Sequence, residues 1–206
     1  MLEDYIRERL REKEILLMAH IVVGYPSIED SFELVRTIVE AGVDLMELQI
    51  PFSEPIADGP VILKANQAAI ADSIRVDDCF RFAQKVTSAF DIPFLFMTYY
   101  NILFKRGEER FFAEAREAGI RGTIVPDLPP EEGESYMAAA AANNIDPIFI
   151  LAPTSSPARI KHLARFGRGF FYCVARKGVT GSDTDFSNEM TEFLGHCRKA
   201  TQLPLA

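Results

Sequence analysis

The stretch from Ile28 to Ile50, IEDSFELVRTIVEAGVDLMELQI, contains one complete unit of the pattern that indicates the fold class. Ile28–Ala41 has the apolar periodicity of a helix, and Gly42 follows it as a typical helix-ending residue. Leu45–Ile50 is then a short apolar run of the kind found in buried strands. Strand, polar loop and helix alternate in this way along the chain. Such alternation predicts parallel strands joined by crossover helices.

The remaining units have similar lengths. The predicted strands are Leu17–Val23, Leu45–Ile50, Phe94–Tyr99, Gly122–Val125, Pro147–Leu151 and Phe170–Val174, with a further strand beginning near Leu203. The predicted helices between them are Ile28–Ala41, Val76–Ala89, Glu108–Ala118, Glu131–Asn143, Pro157–Phe166 and Asn188–Ala200.

Two architectures contain such repeats, an open doubly wound sheet and a closed (β/α)8 barrel. An open sheet usually has a glycine-rich phosphate turn after its first strand, whereas this turn, Gly24-Tyr25-Pro26-Ser27, has one glycine. We therefore expect one α/β domain over residues 1–206 with the (β/α)8 TIM-barrel fold. A full barrel takes about 250 residues, so this one is incomplete, with about six βα units and the start of strand seven. Either the chain is part of a longer protein or another copy supplies the missing edge.

Composition and charge narrow the class of protein. Apolar residues make up 48% and charged residues 25% of the 206 positions, as in ordinary globular proteins. The formal net charge of −8 disfavours nucleic acid and anionic lipid as partners. Every apolar run is far shorter than the roughly 20 residues of a membrane span, so no membrane association is expected.

The cysteines and the start of the chain suggest a compartment. Cys79, Cys173 and Cys197 are widely spaced and form no C-x-x-C pair, which is typical of free thiols in a reducing environment. The first residues, MLEDYIRERL, mix both charges and lack the apolar core of a secretory signal. We therefore expect a cytoplasmic protein.

Two segments do not fit the simple repeat. Leu2–Glu14 has Tyr5, Ile6 and Leu10 on one helical face, so it is expected either to plug the bottom of the barrel or to lie on its side. Pro51–Ser73 is too long for a plain connection and contains a short helix around Val61–Ala71. Long loops after strands often carry function.

Strand two provides the first candidate for chemistry. Side chains alternate along a strand, so Met46, Leu48 and Ile50 are expected to face the helices, while Glu47 and Gln49 point into the barrel with Leu45. An inward carboxylate near the C-terminal end of a barrel strand is typical of a catalytic group. A structural Glu paired with a buried Lys or Arg is the alternative.

Two loops provide further candidates. Asp58 precedes Gly59-Pro60, a turn that could present its carboxylate to the barrel mouth or simply use it to stabilise the turn or cap a helix. After strand six, the segment from Arg176 to Ser182, RKGVTGS, has the composition of an anion-binding loop, a lid or an ordinary connection.

Other active-site patterns are absent from the sequence. It contains no P-loop, no G-x-S-x-G, no H-E-x-x-H and only three histidines. Metal sites and serine triads are therefore disfavoured. His20, in strand one, is the histidine placed to face the cavity, whereas His162 and His196 lie in helical patterns and are expected at the surface.

Several of these segments resemble one known family, the alpha subunit of tryptophan synthase, and the resemblance covers essentially the whole chain. Its most specific part runs from Glu47 to Pro60, ELQIPFSEPIADGP, and RKGVTG from Arg176 to Gly181 is the second. Tyr99-Tyr-Asn101 and Asp127-Leu-Pro129 support both.

The resemblance implies a reaction, the retro-aldol cleavage of indole-3-glycerol phosphate to indole and glyceraldehyde 3-phosphate. It implies that Glu47 is the acid/base and that Asp58 binds the indole N–H. Tyr172 would line the site near Glu47, while Thr180 would bond the aspartate when a lid closes and the Gly181 N–H would contact phosphate. No metal is implied.

The resemblance also implies a partner. Family members pair with a beta subunit that uses pyridoxal phosphate, and this cofactor is expected on the partner and not on this chain. Pro51, Glu54 and Asn101 match positions in loops that face the beta subunit, although Pro51 and Asn101 could equally be plain turn residues.

The chain departs from the family pattern in two ways. Gln49 and His20 stand where relatives usually have glycine and phenylalanine, and with Tyr99 they are expected to line the substrate pocket. The loops after strands seven and eight, which hold phosphate in relatives, are missing. Two alternatives therefore remain open: a non-catalytic or divergent alpha-like subunit that acts as an interaction module for a beta-type partner, and a barrel enzyme acting on another phosphate substrate.

Overall fold

The computed structural model describes residues 1–174 and 188–206, apart from the side chain of Asn188. The strands are β1 Met18–Val22, β2 Leu45–Gln49, β3 Phe94–Met97, β4 Gly122–Ile124, β5 Asp146–Leu151 and β6 Phe171–Cys173. The helices are α1 Leu2–Arg9, α2 Ile28–Glu40, α3 Pro60–Ala71, α4 Val76–Ala89, α5 Tyr100–Arg106, α6 Glu108–Glu117, α7 Glu134–Ala142, α8 Pro157–Leu163 and α9 Asn188–Ala200, with a 3-10 turn at Pro130–Glu132.

The strands form one parallel sheet in chain order, β1 to β6, and alternate with helices as a curled half-barrel. This arrangement confirms the predicted barrel class and its incompleteness. Phe171 also forms an isolated parallel bridge with Leu205, close to where a seventh strand was expected. The register of β1 and β2 sets His20 opposite Glu47 and Val22 opposite Gln49. Side chains of the first two strands therefore meet in pairs on the inner face.

The two faces of the sheet pack into separate apolar clusters. Met46, Leu48 and Ile50 belong to the outer cluster, between the sheet and the surrounding helices. Leu45 belongs to the inner cluster, with Leu95 and other residues of the barrel interior. The predicted alternation along strand two is therefore confirmed. Going along β2 toward its carboxyl end, the inner face changes from apolar Leu45 to polar Glu47 and Gln49.

The N-terminal helix closes the bottom of the half-barrel. Leu2 and Ile6 of α1 are buried in the inner cluster, and the Leu2 backbone N–H donates to Asp146 Oδ2 at 2.9 Å. Of the two positions expected for this segment, the structure has the plug. The helix ends at Arg9 rather than at the predicted Glu14.

Sequence patterns missed one helix and several boundaries. Tyr99 was expected to lie in strand three, but β3 ends at Met97 and Tyr99 is the N-cap residue of α5. Gly107, with a φ of +83°, separates α5 from α6. Two short helices therefore follow β3, and the sequence pattern predicted only the second of them. The helix predicted from Glu131 begins at Glu134, because residues 130–132 form the 3-10 turn.

No helix among the described residues is long and apolar enough to span a lipid bilayer.

Asp44 ties the N-terminal segment to the start of β2. Its buried carboxylate accepts hydrogen bonds from Lys13 Nζ at 2.7 Å, from Arg9 at 3.2 Å and from the Leu17 backbone N–H at 3.0 Å. Burial alone would raise the pKa of Asp44, but these three donors outweigh it and lower the pKa below the ordinary value of 3.8.

We expect Asp44→Asn to lower the free energy of unfolding by about 1–3 kcal/mol at neutral pH, because hydrogen bonds to a charged group are lost. A depressed pKa means that the folded state prefers the ionised form. The stabilisation is therefore present above pH 3.8 and is lost as the pH falls through the lowered folded-state pKa. Urea unfolding of wild type and variant from neutral to acid pH should show the difference shrinking toward acid. A difference independent of pH would contradict this role.

Candidate active site

Three side chains from the first two strands meet on the inner face of the half-barrel. Glu47 and Gln49 are 4% and 0% exposed, and both project inward from β2. His20 projects from β1, with its Nδ1 2.9 Å from Glu47 Oε2 and its Nε2 2.8 Å from Gln49 Oε1. One imidazole therefore contacts both inward polar groups of the neighbouring strand.

Asp58 completes this polar cluster from the loop that follows β2. Gln49 Nε2 donates a hydrogen bond to Asp58 Oδ2 at 2.6 Å, and the Tyr99 hydroxyl donates to the same oxygen at 3.2 Å. The Tyr99 oxygen in turn accepts from the Ala57 backbone N–H at 3.1 Å. The structure thus brings Glu47 and Asp58 together at the mouth of the half-barrel, at the two ends of a chain that runs through His20 and Gln49.

The loop carrying Asp58 is held by contacts that the sequence did not suggest. The Phe52 backbone N–H donates to Asn66 Oδ1 at 2.9 Å, and Asn66 Nδ2 donates to the Ile62 carbonyl at 2.9 Å. The Phe52 ring also stacks on Tyr99, with ring centroids 5.0 Å apart. Asn66 is fully buried in α3 between the buried Ala65 and Ala69, and in the sequence it appears only as an asparagine among the apolar residues of that helix.

Tyr172 approaches the same carboxylates from β6. Burial raises the pKa of its hydroxyl to about 12, and the nearby negative charges of Glu47 and Asp58 add to the shift. Burial likewise raises the pKa of Tyr99, with a further contribution from Asp58. Both hydroxyls therefore stay protonated at neutral pH and are available as hydrogen-bond donors.

The residues expected to face a partner lie near the same mouth but outside the polar cluster. Pro51 is half-buried, whereas Glu54 and Asn101 are exposed, the first in the β2–α3 loop and the second in α5. Large apolar side chains are exposed in the same segments, with Ile56 at 76% and Phe104 at 70%.

Two predicted site residues, Thr180 and Gly181, lie outside the described residues, as do Arg176 and Lys177. Across residues 1–174 and 188–206, His, Cys, Asp and Glu side chains form no group of three or more that could hold a metal ion.

The sequence is similar to those of known proteins. The sequence model of a family described as "Tryptophan synthase alpha chain" matches residues 6–206. The alpha chain of Syntrophotalea carbinolica is 63% identical over 206 residues, which are 100% of this chain and 81% of the relative. That of Desulforapulum autotrophicum is 61% identical over the same shares of both chains.

Solved structures give the same result. Tryptophan synthase from Mycobacterium tuberculosis superposes with a TM-score of 0.91 at 31% identity, over 99% of this chain and 78% of that chain. The tryptophan synthase complex from Pyrococcus furiosus superposes with a TM-score of 0.84 at 25% identity, over 92% of this chain and 75% of that chain. Because both the sequence and the fold match along nearly the whole length, the chain belongs to the tryptophan synthase alpha chain family.

Proposed function

We propose that this protein is a carbon–carbon lyase of tryptophan biosynthesis that cleaves indole-3-glycerol phosphate to indole and glyceraldehyde 3-phosphate. The observation that carries the proposal is the hydrogen-bonded chain that joins two acidic residues, Glu47 and Asp58, across the mouth of the half-barrel. Family membership adds the substrate.

The chemistry requires two acidic groups with different tasks. Glu47 donates a proton to indole C3, and its carboxylate then accepts the proton of the carbinol hydroxyl as the carbon–carbon bond breaks. The bonding electrons remain with the indole ring. Asp58 binds the indole N–H and stabilises the positive charge that develops on that nitrogen. Glu47 ends the cycle protonated, as it began.

The remaining side chains shape the pocket. Tyr172 and Tyr99 contribute protonated hydroxyls near the carboxylates, and His20 and Gln49 line the inner wall between them. Thr180 and Gly181 lie outside the described residues, and family resemblance alone gives them their proposed roles, a hydrogen bond to Asp58 and an N–H contact with phosphate.

The partner is proposed to be a tryptophan synthase beta subunit, bound through the β2–α3 loop with Pro51 and Glu54 and through Asn101 of α5. The exposed Ile56 of this loop and Phe104 of α5 supply apolar contact area. Pyridoxal phosphate is assigned to the partner, and no cofactor to this chain. A biosynthetic role and three free cysteines are consistent with the cytoplasm.

The test is a time course of indole release from indole-3-glycerol phosphate, with and without a purified beta subunit. We expect stoichiometric indole and glyceraldehyde 3-phosphate from this protein alone and a faster rate in the complex. Activation of the beta subunit without cleavage of the substrate would instead identify an interaction module. Absence of both effects would refute the proposed function.

Tyr99→Phe is expected to lower kcat about 3- to 30-fold, because Asp58 loses a hydrogen bond to a charged group while the aromatic stacking on Phe52 remains. Tyr100→Phe is a matched control, since the Tyr100 hydroxyl interacts with Glu108, away from the polar cluster. Steady-state kinetics of both variants and their circular dichroism spectra check this. Equal rates in the two variants would show that the Tyr99 hydroxyl does not contribute to the reaction.

A further inference from the structure

His20 and Gln49 lie between the two acidic groups, and the proposed reaction assigns neither of them a chemical task. Both are hydrogen-bonded at both ends, His20 to Glu47 and Gln49, and Gln49 to His20 and Asp58. Gln49 is fully buried, and the His20 side chain is 26% exposed. Burying two polar side chains is costly unless their hydrogen bonds are satisfied in one arrangement. Their donor and acceptor pattern is therefore informative.

The pattern can be followed from the Asp58 end. The Tyr99 oxygen accepts from the Ala57 N–H, so the hydroxyl proton of Tyr99 is free to point at Asp58. Gln49 Nε2 donates to Asp58 Oδ2, so the other end of the amide, the oxygen Oε1, faces His20 Nε2. An amide oxygen only accepts. His20 Nε2 must therefore carry a hydrogen.

The Nε2–H form of His20 determines the contact with Glu47. At 2.9 Å, His20 Nδ1 and Glu47 Oε2 share one hydrogen bond, and this bond needs one proton. With the proton on Nδ1, the pair is an imidazolium and a carboxylate. With the proton on Glu47, it is a neutral imidazole and a carboxylic acid. With no proton, a nitrogen lone pair would face a carboxylate oxygen, which is unfavourable.

Building on the proposed lyase reaction, we propose that His20 is a positioning residue which, held in its Nε2–H form by Gln49, shares one proton with Glu47 and so keeps Glu47 able to protonate the substrate at neutral pH. The number of protons on the His20–Glu47 pair is the same before and after one reaction cycle. Glu47 gives its proton to indole C3 beside a neutral His20 and then takes the carbinol proton. The pair returns to its one-proton state without exchange with solvent.

The charges around His20 agree with this assignment. Burial lowers the pKa of His20, but the hydrogen bond and negative charge of Glu47, with Gln49 and Asp58, outweigh it and raise the pKa above the ordinary 6.5. Tyr172 faces the same carboxylates from β6 and stays neutral, with a pKa of about 12. On α3, which packs beside β1, the charged Lys64 is exposed to solvent. The shared proton is therefore expected to be lost at a higher pH than the proton of an ordinary histidine.

The first test is nitrogen NMR of the protein labelled with 15N-histidine, titrated from about pH 5 to about pH 9, a range that spans histidine ionisation. The His20 signals are those missing in His20→Asn. We expect Nε2 to remain protonated throughout and Nδ1 to lose its proton above pH 6.5. In Gln49→Ala the preference for Nε2–H should weaken. A neutral His20 protonated on Nδ1, or titration below pH 6.5, would overturn the proposal.

The second test is the pH dependence of indole formation. Asn at position 20 keeps a donor near Glu47 but carries no titratable proton. We expect His20→Asn to lower kcat about 10- to 100-fold at neutral pH, within the range of acid–base effects, and to shift the alkaline limb of kcat/KM to lower pH. If His20 has only a structural role, His20→Asn will lower the rate equally at every pH, and that result would refute the proposal.

The control for both tests is His162→Asn. His162 Nε2 also contacts a carboxylate, Glu131 Oε1 at 2.9 Å, but on the surface of α8. We expect its pH profile to match wild type. If wild type releases no indole at any pH, the proposed function fails, and the NMR titration alone still decides where the His20 proton lies.

Discussion

Glu47→Gln is expected to reduce kcat for indole formation by about 10²- to 10⁴-fold, the usual contribution of a general acid–base group. Glutamine has the size of glutamate, and its amide can still bond His20 Nδ1, so the pocket keeps its shape. The amide cannot donate a proton to indole C3 or accept one from the carbinol hydroxyl. KM should therefore change little while kcat decreases strongly. This pattern indicates the loss of an interaction that is made in the transition state.

The matched control is Glu33→Gln. Glu33 is an exposed residue of α2 that pairs with Arg36 one helical turn away, so its replacement should leave both constants unchanged. Indole is measured spectrophotometrically under saturating and subsaturating substrate. Retention of more than about a tenth of wild-type kcat in Glu47→Gln would be incompatible with a general acid–base role.

Phe111→Ala is expected to lower the free energy of unfolding by about 3–5 kcal/mol, the usual cost of truncating a buried phenylalanine. Phe111 of α6 is fully buried in the outer apolar cluster. Its ring contacts Phe80 and Phe112 edge-on, at centroid distances of 5.3 and 5.6 Å. Alanine would leave a cavity among aromatic rings that cannot close without moving helices against the sheet.

Phe104→Ala is the control for this measurement, because the same side chain is 70% exposed in α5. We expect its effect to stay within about 0.5 kcal/mol, as for ordinary surface substitutions. Urea unfolding followed by circular dichroism compares the two variants. Similar midpoints for both would mean that the outer cluster tolerates the loss, which would contradict the packing described above.

Much of the fold could be predicted from local pattern. Short apolar runs alternating with helical periodicity indicated the six parallel strands, and the period of two along Leu45–Gln49 correctly separated inner from outer side chains. Boundaries were less predictable. Tyr99 is a residue type common in strands, yet it is the N-cap of α5, and its hydroxyl and the stacked Phe52 ring hold it against the Asp58 loop. Such tertiary contacts override local propensity.

The residues of the candidate site were also only partly predictable from the sequence. Glu47 and Asp58 were named as candidates from the sequence, where local features left structural alternatives open and the resemblance of the string from Glu47 to Pro60 to one family supplied their roles. Asn66 was missed because its role is a contact with the Phe52 backbone, 14 residues away. His20 and Gln49 were recognised as departures from the family pattern, but their bonds to each other and to the acids could not be deduced.

The sequence by itself determined the barrel class, the family and the two acidic groups, because periodicity and a specific local string require no knowledge of distant neighbours. Only the tertiary structure decided that His20 joins Glu47 to Gln49 and that Gln49 joins His20 to Asp58. These contacts depend on the register that sets His20 opposite Glu47, 27 residues away in the chain. A shift of one residue in that register would turn His20 to the other face of the sheet. The proton shared by His20 and Glu47 at the barrel mouth therefore depends on how β1 and β2 pair.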